Sequence, residues 1–457
     1  MSEQNLSVGR NIKIGLFHLG SGMADVIATG IWNRIMISDL GYAATPVGLL
    51  VSLRYFLAPL SVWAGRMSDR HAVGGYRRLF WIWLGRLMMV ISIITLGLAT
   101  AHLARGAQAG LGEWAAISLS LLLFSCGTAI SGSTFLALVY DRSSEKQRGR
   151  AVGIVWTFLL LGFTVGGILF GVMLPENHEA GALGFTPETL QNLFVMAGLI
   201  LGALWVVSLV GEEKRSSGAV ETSEGGEHQT SVMADLRLAL SMRPMRYFFW
   251  YLALSMLFAF SQDLILEPFG GQVFGMDARV TTRFTAYWGS MSILATIVFL
   301  FLGRRFPKRL TNTFMSYVGV IALIVAFAIF AGSAFAQIRG LVTPGLIVLG
   351  VGLGVWNVGT LGLMMDMSPA GRAGTFLGFW TLVVTLARGV GVSGGGILRD
   401  IGVVAGASLP VAYGAVFALG VIGLGVSLWA LRQVNVSTFK EEYAPVNAEK
   451  VLAASLD

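Results

Sequence analysis

The chain has 457 residues, 55% hydrophobic and only 12% charged, with a net charge of +7. A soluble protein carries about 25% charged residues, so this chain has too little charge to wet a soluble surface, and lipid must be its main solvent. The basic residues come in short clusters between apolar runs, which excludes nucleic acid as a partner. The lone Cys126 excludes an intrachain disulfide and any cysteine-based metal site.

Residues 1–12 are polar and mixed, without the pattern of a cleavable signal peptide. Apolar runs follow at 14–38, 46–65, 79–100, 114–138, 151–174, 193–211, 244–266, 281–302, 312–335, 341–365, 375–398 and 409–431. Each is close to the ~20 residues that cross ~30 Å of hydrocarbon as a helix. Helix is the expected form, because a backbone in lipid must satisfy its own hydrogen bonds. Polar residues interrupt the first, seventh and eleventh runs.

An even number of spans puts both termini on one side. The loops on that side hold Arg66, Arg70, Arg77 and Arg78, then Arg142, Lys146, Arg148 and Arg150, then Arg304, Arg305, Lys308 and Arg309. The opposite loops hold scattered Arg105, Arg279, Arg339 and Arg399, and the 175–192 loop has three Glu and no Lys or Arg. Both termini are therefore expected in the cytoplasm. The polar, Gly- and Ser-rich stretch 212–243 reads as a flexible linker between six-helix halves at 1–211 and 244–435, with a cytoplasmic tail at 436–457.

The halves look related. Gly65-Arg66-Met67-Ser68-Asp69-Arg70 after the second span corresponds to Gly303-Arg304-Arg305 after the eighth. Tyr140-Asp141-Arg142 after the fourth corresponds to Met365-Asp366-Met367 after the tenth. Asn33-Arg34-Ile35 in the first corresponds to Gln262-Asp263-Leu264 in the seventh. Two parallel six-helix repeats are what a major-facilitator fold requires, so an all-α integral membrane protein with twelve transmembrane helices in two pseudo-symmetric halves is expected.

Several residues stand out chemically. Gly65, Asp69 and Arg70, with the Arg77-Arg78 pair, resemble a facilitator loop motif in which the carboxylate latches a cytoplasmic gate. Asp141, Arg148, Asp366 and Arg372 extend that set, and a plain positive-inside loop is the alternative. His18, Gly22, Asp25, Thr29 and Trp32 recur at helical spacing on one face of the first span, either lining a central cavity or gluing helices together. His18 is the one histidine within a span. It is either a hydrogen-bonded packing residue or an axial metal ligand. Asp263 and Glu267, four apart, can form a proton site or pair with arginine. The repeat equivalence predicts an Arg34–Asp263 ion pair closing the outer side. Arg54, Arg86 and Arg388 also lie within spans and must face protein or a cavity. Arg388 precedes Gly389, Gly391 and Gly394-Gly395-Gly396, which can open a groove or pack helices tightly.

Soluble-enzyme readings fail. Gly350, Gly352 and Gly354 lie inside an apolar span with no following acidic residue, and there is no Walker loop, zinc-protease motif or nucleophile elbow. No enzymatic activity and no intrinsic metal or cofactor is expected.

The sequence resembles the PucC/LhaA family, the bacteriochlorophyll-delivery branch of the major facilitators, over roughly residues 10–440. The strings that carry this are Phe17-His18-Leu19-Gly20-Ser21-Gly22-Met23-Ala24-Asp25-Val26, Asn33-Arg34-Ile35-Met36-Ile37 and Ser68-Asp69-Arg70-His71 with Tyr76-Arg77-Arg78. Further strings are Asp263-Leu264-Ile265-Leu266-Glu267-Pro268-Phe269-Gly270-Gly271, Met365-Asp366-Met367-Ser368-Pro369-Ala370-Gly371-Arg372 and Gly395-Gly396-Ile397-Leu398-Arg399-Asp400. The resemblance implies a light-harvesting complex assembly factor in a bacterial inner photosynthetic membrane. Bacteriochlorophyll or chlorophyll would be its cargo, antenna polypeptides and membrane lipids its partners, with pigment-synthesis enzymes or insertion machinery as further ones. His18 would then suit the pigment magnesium as axial ligand, beside Phe17, Trp32 and an arginine donor. The alternative is a proton-coupled small-solute transporter using Asp25, Asp263 and Glu267. Some family members carry the label of bacteriochlorophyll synthase subunit, but this chain has no paired Asp-rich motif for that chemistry.

Overall fold

A computed structural model of the chain describes residues 7–106, 110–143, 148–174, 186–213, 243–367, 373–436 and 439. Arg372, the stretch 214–242 and most of the tail lie outside the described residues.

Eleven helices among the described residues are long and apolar enough to cross a membrane. In chain order they are α1 (Gly9–Asp39), α2 (Ala44–Asp69), α3 (Leu79–Ala104), α4 (Leu111–Arg142), α5 (Gly153–Met173) and α6 (Pro187–Leu209), then α8 (Ala278–Gly303), α9 (Asn312–Ala336), α10 (Arg339–Asp366), α11 (Phe379–Val404) and α12 (Leu409–Arg432). Between α6 and α8 lies α7 (Arg243–Ala259), followed by a turn and a short helix, Leu266–Phe274. These two pieces complete a twelfth traverse, though neither is long enough alone. Apolar side chains such as Leu119, Ile297, Phe301 and Ile422 stay exposed on the outside of the bundle, as a lipid-facing surface requires.

The break after α7 has a local cause. Pro268 has no N–H to give the carbonyl of Leu264, four residues back. The side chain of Asn33 on α1 donates to that oxygen at 2.7 Å instead, so the freed backbone group is satisfied from the other half. The repeat-related α1 deviates too, but without breaking. Val26–Ile31 and Ile35–Asp39 are π-helical. The Thr29 hydroxyl donates to the Asp25 carbonyl at 2.5 Å, and the Trp32 N–H reaches back five residues to the Ile27 carbonyl. The eleventh traverse is uninterrupted: one helix runs over Ala373–Val404 despite its glycines.

Helix packing repeats with an offset of six. The pairs α1–α5, α1–α6, α2–α4, α3–α4 and α3–α6 correspond to α7–α11, α7–α12, α8–α10, α9–α10 and α9–α12. The two sets meet through α2–α11 and α5–α8, which exchange under the same offset. That is the contact pattern of two parallel repeats about a pseudo-twofold axis. Small residues permit the closest approaches. A β-carbon on Gly22 of α1 would run into the Leu159 carbonyl and Gly162 of α5, and one on Gly391 of α11 into the Leu257 carbonyl of α7. Of the glycines near Arg388, Gly389, Gly391, Gly395 and Gly396 thus serve close packing, while Gly394 faces open space.

Polar links between the halves collect at the end poor in arginine. Arg34 donates to the Met276 carbonyl at 2.8 Å and Gln272 to the Ile37 carbonyl at 2.7 Å. Asp400 of α11 accepts from the backbone N–H groups of Ala44 and Thr45, 3.1 and 2.6 Å away, and so caps the start of α2 from the other half. At the arginine-rich end, Asp69 and Asp141 both meet Arg78, all within the first half.

A charged cavity at the break in α7

The break in α7 and the π-helical part of α1 face each other across a small cavity of about 40 Å³. Its polar lining includes Asp25, Thr29, Arg54, Asp263, Glu267 and Arg388. The sequence singles out five of these six as site residues, and the fold brings them together. The sixth, Arg54, was legible only as a cation inside a span.

Two ion pairs organise the cavity. Asp25 of α1 pairs with Arg54 of α2 at 2.5 Å. Asp263, in the turn after α7, pairs with Arg388 of α11 at 2.9 Å and accepts from Gln262 at 2.7 Å. Tyr55 lies between the two cations. The Arg54 and Arg388 guanidinium carbons sit 4.8 and 5.3 Å from its ring centre, and Arg54 donates to its hydroxyl at 2.8 Å. Each ion pair belongs to one half, while Tyr55 links them through the α2–α11 contact. Glu267 lies deeper, 5% exposed, with the Thr285 hydroxyl 3.5 Å from Oε1.

The expected Arg34–Asp263 pair does not form. Arg34 binds Asp39 at 2.5 Å and the Met276 carbonyl, and Asp263 belongs to Arg388. Arg34 lies nine residues beyond Asp25, about 13 Å along a helix, and so reaches the arginine-poor end. Asp263 sits with Asp25 at the cavity. The two carboxylates are the repeat-related level of α1 and α7, and matching Arg34 to Asp263 shifted the register.

The face expected on α1 is also divided. Asp25 and Thr29 line the cavity, and Gly22 packs on α5. Trp32 is fully buried and donates its indole N–H to Thr100 of α3 at 3.0 Å. The cause is the π-helical segment, whose wider turns rotate every later residue away from α-helical register. His18 lies outside the cavity lining. Its ring packs 4.8 Å from Phe135 and 6.2 Å from the half-exposed Trp156, and Nδ1 lies 3.4 Å from the Ser21 hydroxyl. Close by, the Arg86 guanidinium stacks 4.1 Å over Phe17 and 4.6 Å over Trp205.

At the arginine-rich end, Gly65 lies 3.9 Å, by its notional β-carbon, from the Ser133 hydroxyl of α4. Asp69 contacts Arg77 and Arg78, and Asp141 contacts Arg78. Asp366 accepts from Asn312 of α9 at 2.8 Å. These links run within a half, so none of them ties one half to the other. Arg70 ends its helix and Arg148 begins one, with no side-chain placement described. Arg78, which the loop motif includes, is 5% exposed and bonded to Ser68 as well, and it is the arginine on which both carboxylates meet.

Twelve traverses in two offset sets of six, enclosing a charged cavity, define a multi-pass membrane protein of the major-facilitator type. A bacterial homologue of the human lysosomal transporter Spinster, in an inward-facing and unoccupied conformation, superposes with a TM-score of 0.68 at 15% identity, over 96% of this chain and 98% of that one. The chain belongs to the PUCC protein family, whose model matches residues 31–439. Protein PucC of Rhodovulum sulfidophilum is 29% identical over 404 residues, 87% of each chain. A protein of Rhodobacter capsulatus named bacteriochlorophyll synthase 44.5 kDa chain is 28% identical over 392 residues, 83% of this chain and 84% of its own.

Proposed function

We propose that this chain assists the assembly of light-harvesting complexes by delivering bacteriochlorophyll to antenna polypeptides. It would act in the inner photosynthetic membrane of a bacterium, with both termini in the cytoplasm. The observation that carries this reading is the extent of the family match, which runs through both halves and takes in Arg54, Asp263, Glu267 and Arg388 of the cavity. The name of the Rhodobacter capsulatus relative points to the same pigment.

The geometry is compatible with such a cargo. An esterified chlorin is planar and largely apolar, with keto groups and a magnesium ion that takes a neutral imidazole. His18, itself buried, lies among Phe17, Phe135 and the half-exposed Trp156, an aromatic surround suited to an apolar ring. The orientation follows from the arginine-rich loops on the side of the termini.

The test is purification in mild detergent from the organism that encodes the chain, followed by an absorption spectrum and a search for antenna polypeptides. Pigment absorbance that co-purifies, together with antenna loss on gene deletion, supports delivery. Unchanged antenna levels on deletion refute it. Uptake of a small solute into proteoliposomes that collapses with the pH gradient would point to a proton-coupled transporter instead.

A further inference from the structure

Glu267 opens the short helix after the break in α7, and neither ion pair of the cavity uses it. Its Oε2 is buried and meets no hydrogen-bond donor among the described residues. Beyond its own backbone N–H, the carboxyl group meets only the Thr285 hydroxyl, which lies at the limit of hydrogen bonding from Oε1. Across the gap on α1 lies Gly30, where a β-carbon would come within 3.6 Å of Oε1. The charged groups facing this point are Asp25 and Arg34 from α1, Arg54 from α2, Asp263 from the turn and Arg388 from α11. Each of the three arginines already holds an aspartate: Arg34 holds Asp39, Arg54 holds Asp25 and Arg388 holds Asp263. Glu267 is left without a cation of its own. An unpaired charge in such a place is expensive, whereas a neutral carboxyl group is tolerated.

We propose that Glu267 is a proton-binding site whose occupancy controls the seal between the two halves. One proton passes from a hydronium ion to the carboxylate: an O–H bond of hydronium breaks, one forms on the carboxyl group, and water is left. With the proton in place, the group fits the dry gap between α1 and the short helix. Without it, the charge favours entry of water, and so separation of the elements that Asn33, Arg34 and Gln272 tie together. This inference stands apart from the identity of the cargo, and it requires no pigment for its test.

The experiment uses the full chain in lipid nanodiscs with Cys126 replaced by Ala. Spin labels go on Ala43→Cys and Ile338→Cys, exposed positions at the arginine-poor end, one in each half. The distance between the labels is expected to widen as pH rises, and to stay at its low-pH value throughout in Glu267→Gln. A distance that ignores pH in the parent, or one that responds equally in Glu267→Gln, overturns the proposal. Infrared difference spectra of the otherwise unaltered protein give a second reading. A carboxyl C=O band lost on raising the pH, and missing from Glu267→Gln, is expected. Absence of such a band in the unaltered protein also overturns it.

Discussion

Arg388 holds Asp263 at 2.9 Å while its guanidinium lies 4.1 Å over the ring of Phe260. This contact ties α11 to the turn after α7, where the backbone has left its helix and most needs support. Removing one partner strands the other charge in a largely dry place. Asp263→Asn should therefore lower stability in detergent by about 3 kcal/mol, toward the low end for a broken buried pair because both side chains keep some exposure. The reversal Asp263→Arg with Arg388→Asp should recover part of the loss. Asp263→Arg with Arg34→Asp should recover none, since Arg34 is committed to Asp39. Thermal unfolding of the three variants distinguishes these outcomes.

The contrast between those reversals shows where sequence reasoning succeeds. Asp25, Asp263, Glu267 and Arg388 converge because lipid leaves ionisable side chains little choice but an interior cavity, and Thr29 lies one turn beyond Asp25. That constraint is legible residue by residue, as are the traverses and the relation of the halves. Which charge meets which is not, because pairing depends on helix adjacency and local phase. Arg54 reaches Asp25 only once α1 and α2 are placed side by side. Trp32 leaves the cavity face because π-helical turns intervene, and hydrophobic spacing does not announce those. In the seventh traverse Pro268 leaves the Leu264 carbonyl free, and the side chain that satisfies it, Asn33, lies more than two hundred positions away in the chain.

At the arginine-rich end Arg78 gathers Asp69 at 2.6 Å, Asp141 at 3.0 Å and the Ser68 hydroxyl at 2.6 Å. A planar fork can serve three acceptors in fixed directions, and an ammonium cannot reproduce that geometry. Arg78→Lys should keep the net charge yet lose roughly 1–2 kcal/mol of stability, the scale of charge-assisted hydrogen bonds partly open to water. Arg77→Lys, at a more exposed neighbour with a 3.2 Å contact to Asp69, should be nearly neutral. Equal losses in the two variants, read by thermal unfolding, would contradict a special place for Arg78.

Gly22 and Gly162 set the closest approach of α1 to α5. A methyl group at Gly22 meets the Leu159 backbone, which cannot swing aside as a flexible side chain could. Gly22→Ala should cost about 1–3 kcal/mol through forced separation of the helices. Gly425→Ala on α12 is the matched control, because nothing lies within 4 Å of its notional β-carbon. It should be neutral or slightly stabilising, since alanine is the better helix former. A stable Gly22→Ala protein with unchanged unfolding would show that α1 and α5 are less closely packed than described.

Sequence composition suggested a flexible linker from residue 212 onward, yet its first two residues are anchored. Glu212 is 2% exposed and pairs with Arg10 at 2.7 Å and Lys13 at 3.2 Å, at the start of α1. Glu213 accepts from the backbone N–H groups of Arg77, Arg78 and Leu79, at 2.7, 3.0 and 2.7 Å. It therefore caps α3 from a distant part of the chain, and its charge complements the positive end of the helix dipole. Glu213→Ala should lower stability by about 1–2 kcal/mol and speed hydrogen exchange at Leu79 and the two amides before it. Glu213→Gln keeps an acceptor oxygen but not the charge, so a smaller change is expected. Exchange at those amides that is the same in all three proteins would mean the cap does not persist in the membrane.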